Sequence, residues 1–345
     1  NSSGGTVTPP ANSSGGTDNN YSNAAWLYTA LPALAMDYDR QVLGDKDSRR
    51  SVVSTDSDTG REIWGRMRMG HLIRDSSGSS TPGGSQGTNS EYAFIQMGGD
   101  LYVQEMNNAQ WHTGIYGAIG SNRGDVSRGD DKQSAGTIDD SIYTAGLYLN
   151  ATFNSGLYLD NVLQVSRHRL TTVTEQNTAM KSRGTGFAAS VEGGWSLPVW
   201  HSVFIEPQAQ YIWQGLDLDS AVDSSGTAFS AGNSQLHHVR VGARIGNRAS
   251  HQDVAEKNPV SFWVKPSLLK SFNSNGDVNV GVSGRADTEV SFRPAQNGTA
   301  LLTEAGVDVA VGRNGTLGVR GGYMHSVEGN AAEGYYGQLN MKIRF

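Results

Sequence analysis

The chain ends on Gly334-Tyr335-Tyr336-Gly337-Gln338-Leu339-Asn340-Met341-Lys342-Ile343-Arg344-Phe345, and the reading of this stretch decides the fold. Tyr335, Gly337, Leu339, Met341, Ile343 and Phe345 share one face of an extended chain, while Tyr336, Gln338, Asn340, Lys342 and Arg344 share the other. Successive side chains of a strand point to opposite sides, so this strand has one apolar and one charged face. The same alternation recurs upstream. Ile63-Gly65-Met67-Met69 opposes Glu62-Arg66-Arg68, Val203-Ile205-Ala209-Tyr211-Trp213 opposes Glu206-Gln208-Gln210, and Leu301-Ala305-Val307-Val309-Val311 opposes Glu304-Asp308.

Twelve segments of this kind are read, over 61–73, 92–103, 111–120, 140–151, 156–168, 185–195, 201–213, 236–246, 261–271, 301–311, 316–326 and 334–345. Odd-numbered connectors run to roughly 18, 19, 16, 22, 29 and 7 residues and even-numbered ones to roughly 7, 4, 5, 14 and 4, within boundary errors of a few residues. A soluble sandwich has no reason to sort its loops by parity, whereas outer-membrane barrels combine long outer loops with short periplasmic turns. The fold class is therefore all-β: a 12-stranded antiparallel transmembrane β-barrel. Parity also sets topology. With the short turns periplasmic, the C-terminus is periplasmic, and an even strand count starts the first strand there too.

Composition agrees. The 345 residues include 44 glycines, close to twice the usual ~7%, and charged residues are 17% against the usual ~25%. No apolar run is long enough for a membrane helix, the longest candidate being residues 24–36, interrupted by Thr29 and Pro32. A net charge of −6 carries no basic footprint for nucleic acid, and zero cysteines exclude disulfides and Cys-based chemistry. The chain opens on Asn-Ser-Ser without a charged or apolar leader, so any signal peptide is removed or lies upstream.

Residues 1–20 are Gly, Ser, Asn and Pro with almost nothing apolar, a polar linker. Residues 21–44 are the one stretch with helical spacing, with Leu27, Leu31, Leu34 and Tyr38 forming a stripe, a kink expected at Pro32 and Gly44 as C-cap. Twelve strands ~4.8 Å apart and tilted ~40° close into a cylinder of radius about 12 Å, and inward side chains leave a channel about 12 Å across. A helix with side chains is ~10–12 Å wide, so one helix threads the lumen and two do not fit. The expected helix-in-pore residues are Trp26, Leu27, Leu31, Leu34, Asp37, Tyr38, Asp39 and Arg40. The expected lumen-lining charges are Glu62, Arg66, Arg68, Asp100, Asp160, Glu192, Glu206, Arg240, Arg244, Lys265, Glu304, Asp308, Arg320, Lys342 and Arg344. They either hold the helix and line a path or pair with one another, as the polar interior of any wet barrel does. Asp37, Asp39 and Arg40 are the helix's own candidates for meeting them, since a buried charge needs a partner.

A barrel spanning 61–345, ending in Phe and preceded by one helix and a polar linker, resembles the translocator domain of monomeric type V autotransporters. Ala35-Met36-Asp37-Tyr38-Asp39-Arg40, Tyr211-Ile212-Trp213-Gln214-Gly215-Leu216, Gly322-Tyr323-Met324-His325-Ser326 and Glu333-Gly334-Tyr335-Tyr336-Gly337-Gln338 are similar to the subgroup of the diffuse-adherence adhesin and the serum-resistance autotransporter. The resemblance covers roughly residues 21–345. It implies a Gram-negative outer-membrane anchor, embedded in lipid as a monomer, through which an N-terminal passenger (an adhesin or virulence factor) reaches the surface. The barrel assembly machinery would be a partner, the helix would remain in the pore, and the linker would face the cell exterior. Tyr335, Met341, Ile343 and Phe345 resemble the terminal signal by which outer-membrane proteins are recognised for assembly, although plain lipid contact explains the same residues. No cofactor or metal is implied.

Other motifs carry less. Some autotransporters cleave their own chain between two asparagines, and Asn19-Asn20 is such a pair, but it sits in an Asn-rich linker. Arg123-Gly124-Asp125 and Arg128-Gly129-Asp130 are read as parts of an external loop, and His237-His238 as a satisfied rim pair. Pro207 and Pro266 lie inside expected strands, where bulges or rim positions are required. Asp277–Gly281 and Thr288–Phe292 suggest a hairpin within the longest connector. A stand-alone channel with an N-terminal plug is the competing reading. An outer-membrane protease or lipase is a third, disfavoured by the lack of a Ser/His/Asp or His/Asp cluster at one rim.

Overall fold

A computed structural model describes residues 22–49, 60–76, 85–200, 202–247, 260–294, 296–312 and 314–345. Three helices come first: α1 (Asn23–Thr29), α2 (Leu31–Leu43) and α3 (Lys46–Arg49). The strands are β1 (Glu62–Ser76), β2 (Gln86–Met106), β3 (Ala109–Arg128), β4 (Gln133–Phe153), β5 (Leu157–Thr174), β6 (Ala179–Trp195), β7 (Leu197–Trp200), β8 (Val203–Leu218) and β9 (Ala221–Val222). They continue with β10 (Thr227–Ala231), β11 (Ser234–Asn247), β12 (Val260–Asn275), β13 (Val278–Val282), β14 (Arg285–Phe292), β15 (Gly298–Val311), β16 (Gly315–Gly329) and β17 (Glu333–Arg344).

Twelve of these strands form one closed antiparallel barrel, each pairing with its neighbours in chain order. Closure joins the ends, with β1 running against β17 from Glu62↔Arg344 to Ile73↔Glu333. A closed barrel satisfies every backbone group inside lipid, which an open sheet cannot do. Alternation sorts the faces as the sequence requires: Ile63, Met67, Met69, Leu339, Met341 and Ile343 are exposed, while Glu62, Arg66, Arg68, Gln338, Asn340 and Lys342 are buried in the lumen.

The strands run further than the apolar alternation does. β2 and β3 pair from Gln86↔Arg128 to Met106↔Ala109, with one register shift between Asp100 and Tyr102, and turn at Asn107 and Asn108, both with positive φ as a two-residue hairpin demands. The stretches read as long loops between β3 and β4 and between β5 and β6 are therefore mostly strand, leaving turns at residues 129–132 and 175–178. Backbone pairing does not need an apolar face, so it continues after the sequence stops signalling lipid. Arg123-Gly124-Asp125 is corrected by the same finding. It lies within β3, with Arg123 and Asp125 outward and Gly124 inward against Leu34, while Arg128-Gly129-Asp130 does form the strand end and turn.

Two connectors stay long, and together they build a second sheet in the order β14-β13-β10-β9, including the expected hairpin. The prolines need no bulge. Pro207 falls where β8 changes partner from β6 to β7, and Pro266 at a gap in the β11–β12 ladder, whose register shift lies elsewhere, between Gln235 and His237. Glycine's excess gains a use on the inner wall: a Cβ on Gly98 would overlap the Trp64 ring, and one on Gly146 the Tyr116 ring.

Candidate functional site

The lumen is filled by residues 23–49. α1 and α2 break at Ala30, and Pro32 takes a first-turn position of α2, where its missing N–H costs nothing. Gly44, at φ 60°, ends α2 and donates its N–H to the Arg40 carbonyl at 3.0 Å. The plug does not stop there, as the sequence reading had it. A further turn, α3, carries Asp45 to Arg49 along the wall.

At its first end the plug is held by apolar packing. Trp26, Leu27, Tyr28 and Leu31 form one buried cluster with Phe229, Val278, Val280 and Phe292 of the second sheet. Tyr28 meets Phe229 edge-on with ring centroids 5.8 Å apart, and its hydroxyl donates to Asp223 at 2.7 Å. Burial alone would raise the Asp223 carboxyl, but hydrogen bonds from Ser225, Tyr28 and the Thr227 N–H bring it below the ordinary carboxylate value. In mid-plug, Leu34 and Tyr38 approach β3 so closely that a Cβ on Gly124 or Gly120 would overlap them.

The other end is ionic. Asp45 pairs with Arg240 and Lys265, and Lys265 also reaches Glu304 at 2.9 Å. Asp47 accepts from Gln208 at 2.8 Å and lies 3.4 Å from Arg244, which is itself held by Glu206. Arg49 pairs with Asp160, and the Lys46 N–H donates to Glu192 at 3.1 Å. Carbonyls left free by the last turn of α2 find donors: Arg66 and Gln96 serve Val42, Arg49 serves Leu43 and Gln210 serves Gly44. Cations at the negative end of a helix also complement its dipole.

Between these ends the wall touches the helix main chain. Gln86, Asn122, Gln164 and Gln214 donate to the carbonyls of Trp26, Leu34, Asp39 and Met36 at 2.6, 3.1, 3.0 and 2.9 Å. A small crevice remains beside the plug, lined by Arg40, Arg68, Leu72, Leu269, Met324 and Tyr336 among others.

A model of the autotransporter β-domain family matches residues 64–322. The chain belongs to that family. Such a β-domain is an outer-membrane translocator. The chain is 28% identical over 284 residues to YuaQ of Escherichia coli K12, covering 76% of this chain and 20% of that protein. It is 24% identical to the probable autotransporter YfaL of the same organism, covering 62% and 18%. The chain thus spans about a fifth of the length of these two relatives. Its fold is similar to the transport unit of AIDA-I from E. coli, with TM-score 0.71, 16% identity and 94% of this chain and all of that one covered. The translocator domain of NalP from Neisseria meningitidis superposes with TM-score 0.66 at 12% identity, covering 93% and 100%.

All fifteen lumen charges named from the sequence of the β-domain are buried inside the barrel. Arg66, Arg68, Asp160, Glu192, Arg240, Arg244 and Lys265 touch the plug. Glu304 and Glu206 act one step away through Lys265 and Arg244. The rest stay on the wall: Glu62 pairs with Lys342 and Arg344, Asp100 with His112, Asp308 with the Trp263 indole and Asn340, and Arg320 lies over the Trp263 ring.

Of the helix's candidates, Asp37 takes both nitrogen–oxygen contacts of Arg74 at 2.7 and 2.9 Å, and Asp39 meets His168, which also binds Asp140. Arg40 is the correction: among the described residues its ion pair is with Asp37, its own neighbour, at 3.6 Å, and it otherwise faces the crevice. The sequence reading missed Asp45, Asp47, Arg49, Arg74, Asp140 and His168. The last three continue the inward parity of β1, β4 and β5, which was signal enough. The amides were missed because an uncharged Gln on a polar face carries no distinguishing mark. His237 and His238 are both satisfied, by Tyr211 and by Ser271 with Gln214. Tyr335, Met341, Ile343 and Phe345 all face outward. Asn19-Asn20 lies outside the described residues.

Proposed function

We propose that the β-domain carries an N-terminal passenger through its lumen to the cell surface and then anchors it, with residues 22–49 remaining as the plug. The observation that carries this reading is the polarity of the plug. Its N-terminal end packs under the sheet built by the two long connectors, while α3 lies beside Asp160 and Arg244 toward the opposite end. Ser22, the first described residue, therefore lies at the mouth with the long connectors, which we assign to the cell exterior, with Phe345 periplasmic. A stand-alone porin needs neither that placement nor a polar linker leading to it. The test is a signal peptide and reporter fused ahead of residue 1. Protease added to intact cells should remove the reporter, and a protected reporter would overturn the reading in favour of a plugged channel.

The finer identity follows the stretches that carry the resemblance, and we place the chain in the diffuse-adherence and serum-resistance subgroup, with an adhesin or virulence factor as passenger. Those stretches are neighbours in space. Gln214 donates to the Met36 carbonyl, and Gly322, Tyr323 and Met324 pair with Tyr336, Tyr335 and Gly334. A barrel without an open edge has no need of a second copy, so it works as a monomer. Assembly through the barrel machinery would read the outward Tyr335, Met341, Ile343 and Phe345. Removing Phe345 should lower the yield of heat-modifiable, folded barrel, and normal yield would count against a signal there.

A further inference from the structure

Outward-facing cations on the β3–β6 wall come in two kinds. Arg123 lies 3.9 Å from Asp139 and Arg167 lies 3.8 Å from Asp219, both exposed pairs. Arg169, Lys181 and Arg183 are equally exposed, yet among the described residues none has a carboxylate within salt-bridge distance. Arg169 and Arg183 face each other directly across the β5–β6 ladder, and Lys181 is the next outward residue, opposite Thr171. Like charges placed directly opposite on a sheet repel. The nearest outward carboxylates, Asp139 opposite Thr171 and Asp219 beside Arg183, lie against Arg123 and Arg167, and the Tyr143 ring stands 5.2 Å from the Arg169 guanidinium.

Their position along the strands bears on what neutralises them. Two outward steps from Arg169 on β5 is Val165, and two outward steps from Arg183 on β6 is Phe187, both exposed on the lipid-facing strip. Four residues of strand rise about 13 Å, or about 10 Å of height at a barrel tilt of ~40°. The three cations thus stand where apolar side chains give way to polar ones, at headgroup depth rather than out in solvent.

We propose that Arg169, Lys181 and Arg183 clamp a phosphate group of an outer-leaflet lipid headgroup, whose acyl chains lie over Val165 and Phe187. Guanidinium forks suit phosphate oxygens, and an ammonium adds a point charge. A phosphate between Arg169 and Arg183 turns their repulsion into shared attraction. The inference rests on the assignment of the β5–β6 turn to the cell exterior.

The test uses the whole chain, folded in detergent and checked by heat-modifiable migration, with bisphosphorylated lipid A as probe and phosphatidylcholine as the uncharged comparison. The triple variant Arg169→Gln, Lys181→Gln, Arg183→Gln should retain at least about tenfold less lipid A per barrel. Arg123→Gln, on the same wall but already paired, should retain as much as the unaltered chain. If the triple variant fails to fold, Arg183→Gln alone should still lower retention severalfold. Unchanged retention, or competition by inorganic pyrophosphate at equal concentration, overturns the proposal, the latter because it marks a site for soluble phosphate. Orientation is read separately by Asp131→Cys in the β3–β4 turn, a unique thiol in a chain without cysteine. Labelling by an impermeant maleimide on intact cells together with unchanged lipid retention defeats the phosphate clamp alone. No labelling defeats the orientation, and the clamp with it.

Discussion

The two ends of the plug are held by opposite physics. Around α1 the contacts are Trp26, Leu27, Tyr28 and Leu31 against a sheet of Phe229, Val278, Val280 and Phe292, with one hydroxyl–carboxylate bond. Around α3 the contacts are dominated by charge: Asp45, Asp47 and Arg49 each meet a charge of opposite sign on the wall, beside a smaller cluster in which Leu43 packs with Trp64, Tyr116 and Tyr148. Apolar packing loses stability in small steps as methylenes are removed. A buried ion pair fails abruptly, because the charge left behind has neither water nor partner. The ionic end is therefore the latch and the apolar end the seat.

Four substitutions probe that contrast. Asp45→Ala leaves Lys265 and Arg240 short of a partner and should cost ~3–5 kcal/mol of plug docking. Single-channel recordings in planar bilayers should show long open dwells, and wild-type dwell times would end the latch idea. Asp37→Ala with Arg40→Ala strips Arg74 of its bidentate partner for about 2–3 kcal/mol and should also raise conductance. If conductance does not move, docking through α2 is irrelevant to sealing. Phe229→Leu trims the seat by about 1 kcal/mol and should speed hydrogen exchange in α1 while leaving conductance alone. A conductance change as large as that of Asp45→Ala would erase the distinction between the ends.

The smallest effect is expected at Tyr28→Phe, under about 1 kcal/mol, and its sign can be followed by pH. The Asp223 carboxyl is held below its ordinary value by its hydrogen bonds, so the ionised form is favoured in the folded state. That stabilisation is complete above the ordinary carboxylate range and disappears as the pH falls through the lowered folded value. Exchange protection around residues 221–231 should drop in acid, and Asp223→Asn should flatten the dependence. Equal acid sensitivity in Asp223→Asn would place the titrating group elsewhere.

The strands and their lumen parity were legible because each has lipid on one side and water on the other, a contrast that period two makes visible in residues such as Met341 and Lys342. Strand ends were not. Beyond Ala93 on β2 or Val165 on β5 both faces turn polar, and hydrogen-bond pairing leaves no mark in composition. The latch was hidden for another reason. Asp45 follows a helix cap, in a stretch with no periodicity, and its partners Arg240 and Lys265 lie 195 and 220 positions away. Pairing over such separations is a property of barrel closure and of no local segment. Arg40 was overvalued because charge on a helix was taken as contact with the wall, whereas it faces the crevice.

The amides of Gln86, Asn122, Gln164 and Gln214 have a consequence for heredity. They grip main-chain oxygens, which every residue type supplies, so these four anchors survive a change of side chain, unlike those that Asp37 and Asp39 make with Arg74 and His168. What the plug must also conserve is bulk, opposite Gly120 and Gly124, and length, so that Asp45 arrives beside Lys265. Helices transplanted from distant relatives should seat in this barrel when those two conditions hold and carboxylates stand at positions 37 and 39.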